Sequence, residues 1–94
     1  MILRPEAAAD ILATYDALEQ SQTGLGGVFT SKVREVLERI ESMPNMYGPV
    51  WHDVRAARLR KFRYLVYYIV LADRVEVLAV MHGSRDAGAW QARA

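Results

Sequence analysis

Phe62-Arg63-Tyr64-Leu65-Val66-Tyr67-Tyr68-Ile69-Val70-Leu71 is the stretch that decides the architecture. It is dominated by aromatic and β-branched residues, which favour a pleated strand over a helix. Successive side chains of a strand point to opposite faces. Tyr64, Val66, Tyr68 and Val70 therefore share one face, and Leu65, Tyr67, Ile69 and Leu71 share the other. An antiparallel strand with one wet face alternates apolar with polar residues, and this one does not. Something must cover both sides of it. Upstream, the period is already two from Val54, with Ala57 and Leu59 alternating with Arg58 and Arg60. Downstream, Ala72-Asp73 suits a tight turn and Arg74 to His82 reads as the partner strand. The second half of the chain is thus expected to be a three-stranded antiparallel meander.

The first half supplies the cover for one face. Met1 to Arg4 reads as a short strand. Pro5 suits the first turn of a helix, and Glu6 and Asp10 place acids near its positive end. Ala8, Ile11, Leu12, Tyr15 and Leu18 follow the helical spacing to about Ser21. Thr23-Gly24-Leu25-Gly26-Gly27 is expected to break the helix, because glycine is unfavourable in a helix interior. Phe29, Val33, Val36, Leu37, Ile40 and Met43 then resume the period, while Lys32, Arg34, Glu35, Glu38, Arg39 and Glu41 line the opposite face. This second helix ends before Pro44, and Pro44 to Asp53 reads as a loop. The fold class is α+β: a helical hairpin packed on a twisted antiparallel sheet of three to four strands, in the order β-α-α-β-β-β. Two helices cover one sheet face. The other is expected to be partly apolar and open to a partner, unless the tail Asp86-Ala87-Gly88-Ala89-Trp90, a short helix or irregular end, folds over it.

With 94 residues, 52% of them apolar, the chain makes one domain over residues 1–94 with enough material for a core. No run approaches the roughly 20 apolar residues of a membrane span, and Met1 to Pro5 has no secretion-signal pattern. There is no cysteine, hence no disulfide and no thiolate metal site. These features suit a cytoplasmic protein without a membrane partner. The net charge of +1 conceals an asymmetry: residues 1–50 hold four bases and seven acids, residues 51–94 eight bases and four acids. Arg55, Arg58, Arg60, Lys61 and Arg63 form one cluster, the arrangement expected of a surface that meets an anionic target.

Three features together resemble the RelE/ParE toxin superfamily: the helical hairpin with its Gly24-Leu25-Gly26 break, the strand Leu59-Arg60-Lys61-Phe62-Arg63-Tyr64-Leu65-Val66-Tyr67-Tyr68, and the ending Val75 to Asp86 with His82-Gly83-Ser84-Arg85-Asp86. The resemblance runs from about Pro5 to Trp90. It implies a type II toxin–antitoxin toxin of the plasmid-stabilisation kind, a growth inhibitor wrapped by a cognate antitoxin and associating as a toxin–antitoxin hetero-oligomer or a homodimer. It implies one of two targets: DNA gyrase, which a ParE-like member poisons without a reaction of its own, or messenger RNA in the ribosome, which a RelE-like member cuts without metal. A non-toxic protein-binding module of the same fold is the further alternative.

The ribonuclease branch commonly carries a basic residue just before the Leu-Val-Tyr of the central strand, where this chain has Tyr64. A phenol supplies no fixed positive charge to a scissile phosphate. Arg58, His82 and Arg85 fit that branch's other positions, His82 as acid or base. The stretch from Arg60 to Tyr68 is more like the ParE side, so gyrase is the expected target. The target-binding candidates are Arg58, Arg60, Lys61, Arg63, Arg85 and Trp90. The antitoxin-binding candidates are Tyr64, Val66 and Tyr68, or the opposite face Leu65, Tyr67 and Ile69. His52 and His82 have no metal-ligand spacing, and no cofactor is implied.

Overall fold

The computed structural model describes residues 1–94 as one layer of helices on one sheet. The elements are β1 (Ile2–Leu3), α1 (Pro5–Ser21), α2 (Leu25–Ser42), β2 (Pro49–Trp51), β3 (Val54–Arg58), β4 (Tyr64–Val70), β5 (Val75–His82) and α3 (Gly88–Gln91). The sheet order is β1-β5-β4-β3-β2, so the apolar strand β4 lies at its centre. The α+β class and the hairpin-on-sheet arrangement are as expected, but the sheet has five strands instead of three to four. It is also mixed, because β1 runs parallel to β5. The extra strand is β2, inside the segment Pro44 to Asp53 that reads as a loop. It is three residues long with Val50 exposed, too short and too wet to show a period. No helix is long and apolar enough to cross a membrane.

The second helix begins four residues before Phe29, at Leu25, and takes Gly26 and Gly27 into its first turn. The glycines that read as a break are its N-terminus. Gly24 adopts φ +90°, a left-handed turn open to glycine. The Glu19 carboxylate then accepts the N–H groups of Gly24 and Gly26, each at 2.9 Å. Two N–H groups that a helix start leaves unpaired are satisfied in this way. In α1, the face turned inward holds Ala7, Ile11 and Leu18, whereas Ala8 and Leu12 point to solvent, Leu12 at 62% exposure. Ile11 and Leu18 of the expected stripe face inward, and Ala7 takes the place expected for Ala8.

The helices cover the β4 face that carries Val66 and Tyr68. Both are fully buried against Phe29, Val36 and Ile40 of α2, and the Tyr68 hydroxyl donates to the Pro44 carbonyl at 2.7 Å. Tyr64 packs edge-on against Phe29 at 5.3 Å. Of the Tyr64, Val66 and Tyr68 set expected as an antitoxin surface, Val66 and Tyr68 are buried in the core of the chain itself and offer no surface, whereas Tyr64 is half-buried.

The opposite face is closed by the tail. Trp90 stacks on Tyr67 with centroids 4.4 Å apart and planes at 12°, and meets Trp51 edge-on at 6.2 Å. Tyr67, Leu78, Ala79, Met81 and Trp90 are all buried in this second cluster. The expected open face is therefore largely sealed, and only its margin stays accessible. What holds the tail is a bulge in β5. Tyr67 pairs with Ala79 but Tyr68 with Val77, so Leu78 has no partner across the ladder. The Arg93 guanidinium donates to the Leu78 carbonyl at 3.1 Å, and the Val80 N–H donates to Asp10 at 3.0 Å. Arg93 and Asp10 join each other through two bonds of 2.7 and 3.2 Å. The irregular edge of β5 is thus clamped by α1 and the tail together.

Burial pushes the phenols of Tyr67 and Tyr68 above the ordinary tyrosine value; for Tyr68, Arg55 opposes the shift and Tyr47 adds to it. A group whose pKa is raised on folding stabilises the fold below the unfolded value, about 10, and that stabilisation is lost as pH rises through the folded value. Tyr67 and Tyr68 are accordingly expected to form phenolates only as the fold is lost at alkaline pH. A spectrophotometric titration followed alongside circular dichroism checks this. Complete phenolate absorbance with the dichroism intact would refute it.

Candidate functional site

The link between β3 and β4 projects a basic tip. Leu59 donates its N–H to the Tyr64 carbonyl at 3.0 Å and closes the hairpin around Arg60, Lys61, Phe62 and Arg63. Phe62 turns inward and meets Phe29 edge-on at 5.6 Å, which leaves Arg60, Lys61 and Arg63 exposed around it. Lys61 has φ +70°, a left-handed conformation that a side chain disfavours.

Beside the tip lies an open cleft of about 370 Å³ lined by Arg58, Arg63, Leu65, His82, Gly83 and Ser84. The ladder creates it. Arg58 pairs with Leu65, Leu65 with Met81 and Tyr64 with His82, so residues more than twenty apart in sequence meet at one end of the sheet. The Arg63 carbonyl accepts the Gly83 N–H at 2.7 Å and ties the turn after β5 to the hairpin tip. His82 sits edge-on to Tyr64 at 5.2 Å. Its Nδ1 accepts the Ser84 N–H at 3.0 Å and lies 2.7 Å from the Ser84 hydroxyl. In the neutral ring that leaves Nε2 as the donor. Ser84, the unspecified position of the His82 to Asp86 ending, is the participant that reading by sequence passes over. Its only signal was a hydroxyl two residues beyond a histidine.

The cations divide sharply. Arg4, Lys32, Arg74 and Arg93 form ion pairs with Glu76, Glu35, Asp73 and Asp10, respectively, and Arg74 also pairs with Glu76. Arg39 donates to the Tyr47 hydroxyl and Arg55 to the Tyr47 carbonyl. Of the twelve Lys and Arg residues, those left with no protein partner are Arg34 and the five candidates Arg58, Arg60, Lys61, Arg63 and Arg85. Arg55, part of the cluster in sequence, is thereby taken out of it. No acid lines the cleft.

The candidates are not all in one place. Arg58, Arg63 and His82 share the cleft. Arg60 lines neither cleft, and its charge reaches α2: Glu35 is held below the ordinary carboxylate range first by its hydrogen bond to Lys32, with smaller contributions from the charges of Lys32, Arg60 and Arg39. Arg85 is exposed in a separate groove of about 180 Å³ between α1 and the end of β5, where Asp10, Thr14, Tyr64 and His82 also lie. His82 thus borders both. Trp90 joins neither, since its ring is spent on Tyr67. Of the second antitoxin set, Tyr67 lies under Trp90, Leu65 forms part of the basic cleft, and Ile69 belongs to an apolar cleft of about 430 Å³ with Trp51, Val54 and Leu71.

Residues 1–87 match the family described as ParE toxin of type II toxin–antitoxin system, parDE. Two curated relatives, both called Toxin ParE2 and from Mycobacterium tuberculosis strains CDC 1551 / Oshkosh and H37Rv, are 37% identical over 60 residues. That match covers 64% of this chain and 57% of the length of each relative. Among solved structures, a chain of the chromosomal ParDE TA system from P. aeruginosa superposes with a TM-score of 0.76 over 87% of this chain and 95% of that one. At 18% identity, this likeness speaks for the fold.

Proposed function

The chain belongs to the ParE toxin family of type II toxin–antitoxin systems, and from that premise we propose that it is a growth inhibitor that poisons DNA gyrase and is neutralised by a cognate antitoxin. The observation that carries the choice of target is at the start of β4. Where the ribonuclease branch of the superfamily commonly has a basic residue, Tyr64 packs edge-on to both Phe29 and His82. A phenol fixed there carries no positive charge with which to hold a scissile phosphate. His82 has no carboxylate beside it in the basic cleft. Arg58, Arg63 and the tip residues Arg60 and Lys61 then serve to hold the target, with Arg85 as a further contact. The antitoxin takes the apolar margin that the tail leaves open, where Leu71 and Val50 are 37% and 55% exposed.

Induced expression without the antitoxin is expected to stop bacterial growth, and co-expression of the neighbouring antitoxin to restore it. Purified protein is expected to inhibit supercoiling by gyrase and to accumulate cleaved DNA. Each charge-assisted contact contributes roughly 1.5–3 kcal/mol, so Arg63→Ala should raise the concentration needed for inhibition by about tenfold or more. Intact gyrase together with messenger RNA cut at ribosomal A-site codons would transfer the protein to the ribonuclease branch. Unimpaired growth with soluble protein present would remove the toxin reading.

A further inference from the structure

We infer that the cleft between Arg58 and Arg63 receives a phosphodiester of duplex DNA, so that the protein grips the DNA held by gyrase as well as the enzyme itself. This rests on the gyrase reading and names what that site touches. The first support is the segregation of charge. Six of the twelve cations are satisfied by a protein group, Arg34 and Arg85 stand unpaired elsewhere, and Arg58, Arg60, Lys61 and Arg63 are unpaired together at this end of the molecule. Guanidinium groups only donate, and a phosphodiester only accepts, which makes the fork of arginine a fitting match. No carboxylate lines the cleft to compete.

The second support is shape. The wall of the cleft is the Gly83 main chain, and a Cβ there would come within 3.3 Å of Leu65 Cδ1 and 3.4 Å of the Arg63 carbonyl. With Nδ1 of His82 accepting the Ser84 N–H, Nε2 is left to donate to a bound oxygen. The third support is Lys61. At φ +70° a glycine would be relaxed, yet the chain holds a lysine there, exposed at the tip next to Arg60. The cations extend from the cleft to the end of the hairpin, as a surface would if it follows a backbone of regularly repeated charge and does not meet a single acidic side chain.

The full-length protein is titrated into a fluorescein-labelled DNA duplex, and anisotropy is read across a salt series. Affinity is expected to fall steeply with salt, by about 0.9 in the log–log slope for each phosphate contacted. Arg58→Ala combined with Arg63→Ala should flatten the slope by about 2 and weaken binding at least tenfold at low salt. Both side chains are exposed and unpaired, so circular dichroism should show the fold unchanged. Arg34→Ala, which removes the remaining unpartnered cation on α2, should change neither quantity. The assignment is overturned if duplex binding is absent or insensitive to the double substitution, or if Arg34→Ala weakens it as much. It is also overturned if single-stranded RNA of the same sequence binds more tightly or is cut. A separate arm measures gyrase-dependent DNA cleavage. If the wild-type protein traps no cleaved DNA, the gyrase reading fails by itself. If it traps cleaved DNA and the double variant does so equally well, the phosphodiester contact fails alone.

Discussion

Trp90→Ala is expected to destabilise the protein by about 3–5 kcal/mol, the range for truncating a large buried aromatic side chain. The ring is only 6% exposed, lies flat on Tyr67 and abuts Trp51. Its loss would leave a cavity over the sheet face that holds Leu78, Ala79 and Met81, all of them buried now. Domains of this size have a total stability of roughly 5–15 kcal/mol, so the variant is expected to lie near the threshold of folding. For a domain of 60–100 residues, 1 kcal/mol corresponds to about 4–8 °C, and the melting temperature should fall by roughly 12–40 °C. Thermal melting and urea unfolding measure this directly, and binding of an apolar dye should rise as the outer face opens. The result separates two roles for the residue. A target-contacting tryptophan would leave the melting temperature in place and abolish toxicity, and that outcome would reverse the assignment of Trp90 to the core.

Gly26→Ala and Gly27→Ala are expected to act in opposite directions, although the residues are adjacent in one helical turn. A Cβ at Gly26 would stand 2.7 Å from Tyr15 Cδ2, 2.8 Å from the Tyr15 carbonyl and 2.9 Å from the Glu19 carboxylate. The carbonyl belongs to the backbone of α1 and cannot rotate away. The helices must separate, at an overpacking cost of about 1–3 kcal/mol. Displacing the Glu19 carboxylate also weakens its bonds to the Gly24 and Gly26 N–H groups, a capping loss of about 1 kcal/mol. A total near 2–4 kcal/mol follows. At Gly27 nothing lies within 4 Å of a new Cβ, and alanine should stabilise by up to about 1 kcal/mol through the reduced entropy of the unfolded chain. Parallel urea titrations of the two variants provide the comparison. Equal effects would mean that the hairpin is not held by close approach at Gly26.

That pair also shows why a run of glycines misleads a reader of the chain. Glycine lowers helix propensity wherever it falls, and the packing reason for Gly26 lies in another helix, at Tyr15 and Glu19. The same limit applies to Pro44 to Asp53. A three-residue edge strand is defined by its partner, here the β3 residues Val54 and Arg55, and has too few side chains to show a period. In α1, alanines occupy both faces, so the apolar spacing alone did not distinguish the inward Ala7 from the outward Ala8 and Leu12.

The candidate site divides in a similar way. Arg58, Arg60, Lys61 and Arg63 are neighbours in sequence, and a hairpin tip had to carry them together. Their grouping was therefore legible, and so was the family whose pattern they share. The arrival of His82, Gly83 and Ser84 beside Arg58 depended on the β3–β4 and β4–β5 registers. The departure of Arg55 to Tyr47 depended on a residue outside the hairpin.

Sequence alone determined that β4 is a strand with two oily faces, that a helical hairpin covers one of them, and that a basic tip precedes it, because side-chain alternation and charge order are local properties of a chain. Only the tertiary structure decided what covers the second face. Trp90 reaches Tyr67 because an unpaired Leu78 leaves a carbonyl that Arg93 can seize while Asp10 takes the Val80 N–H. Bulge, carboxylate and guanidinium lie far apart along the chain, and none of them shows a pattern until the fold brings them together.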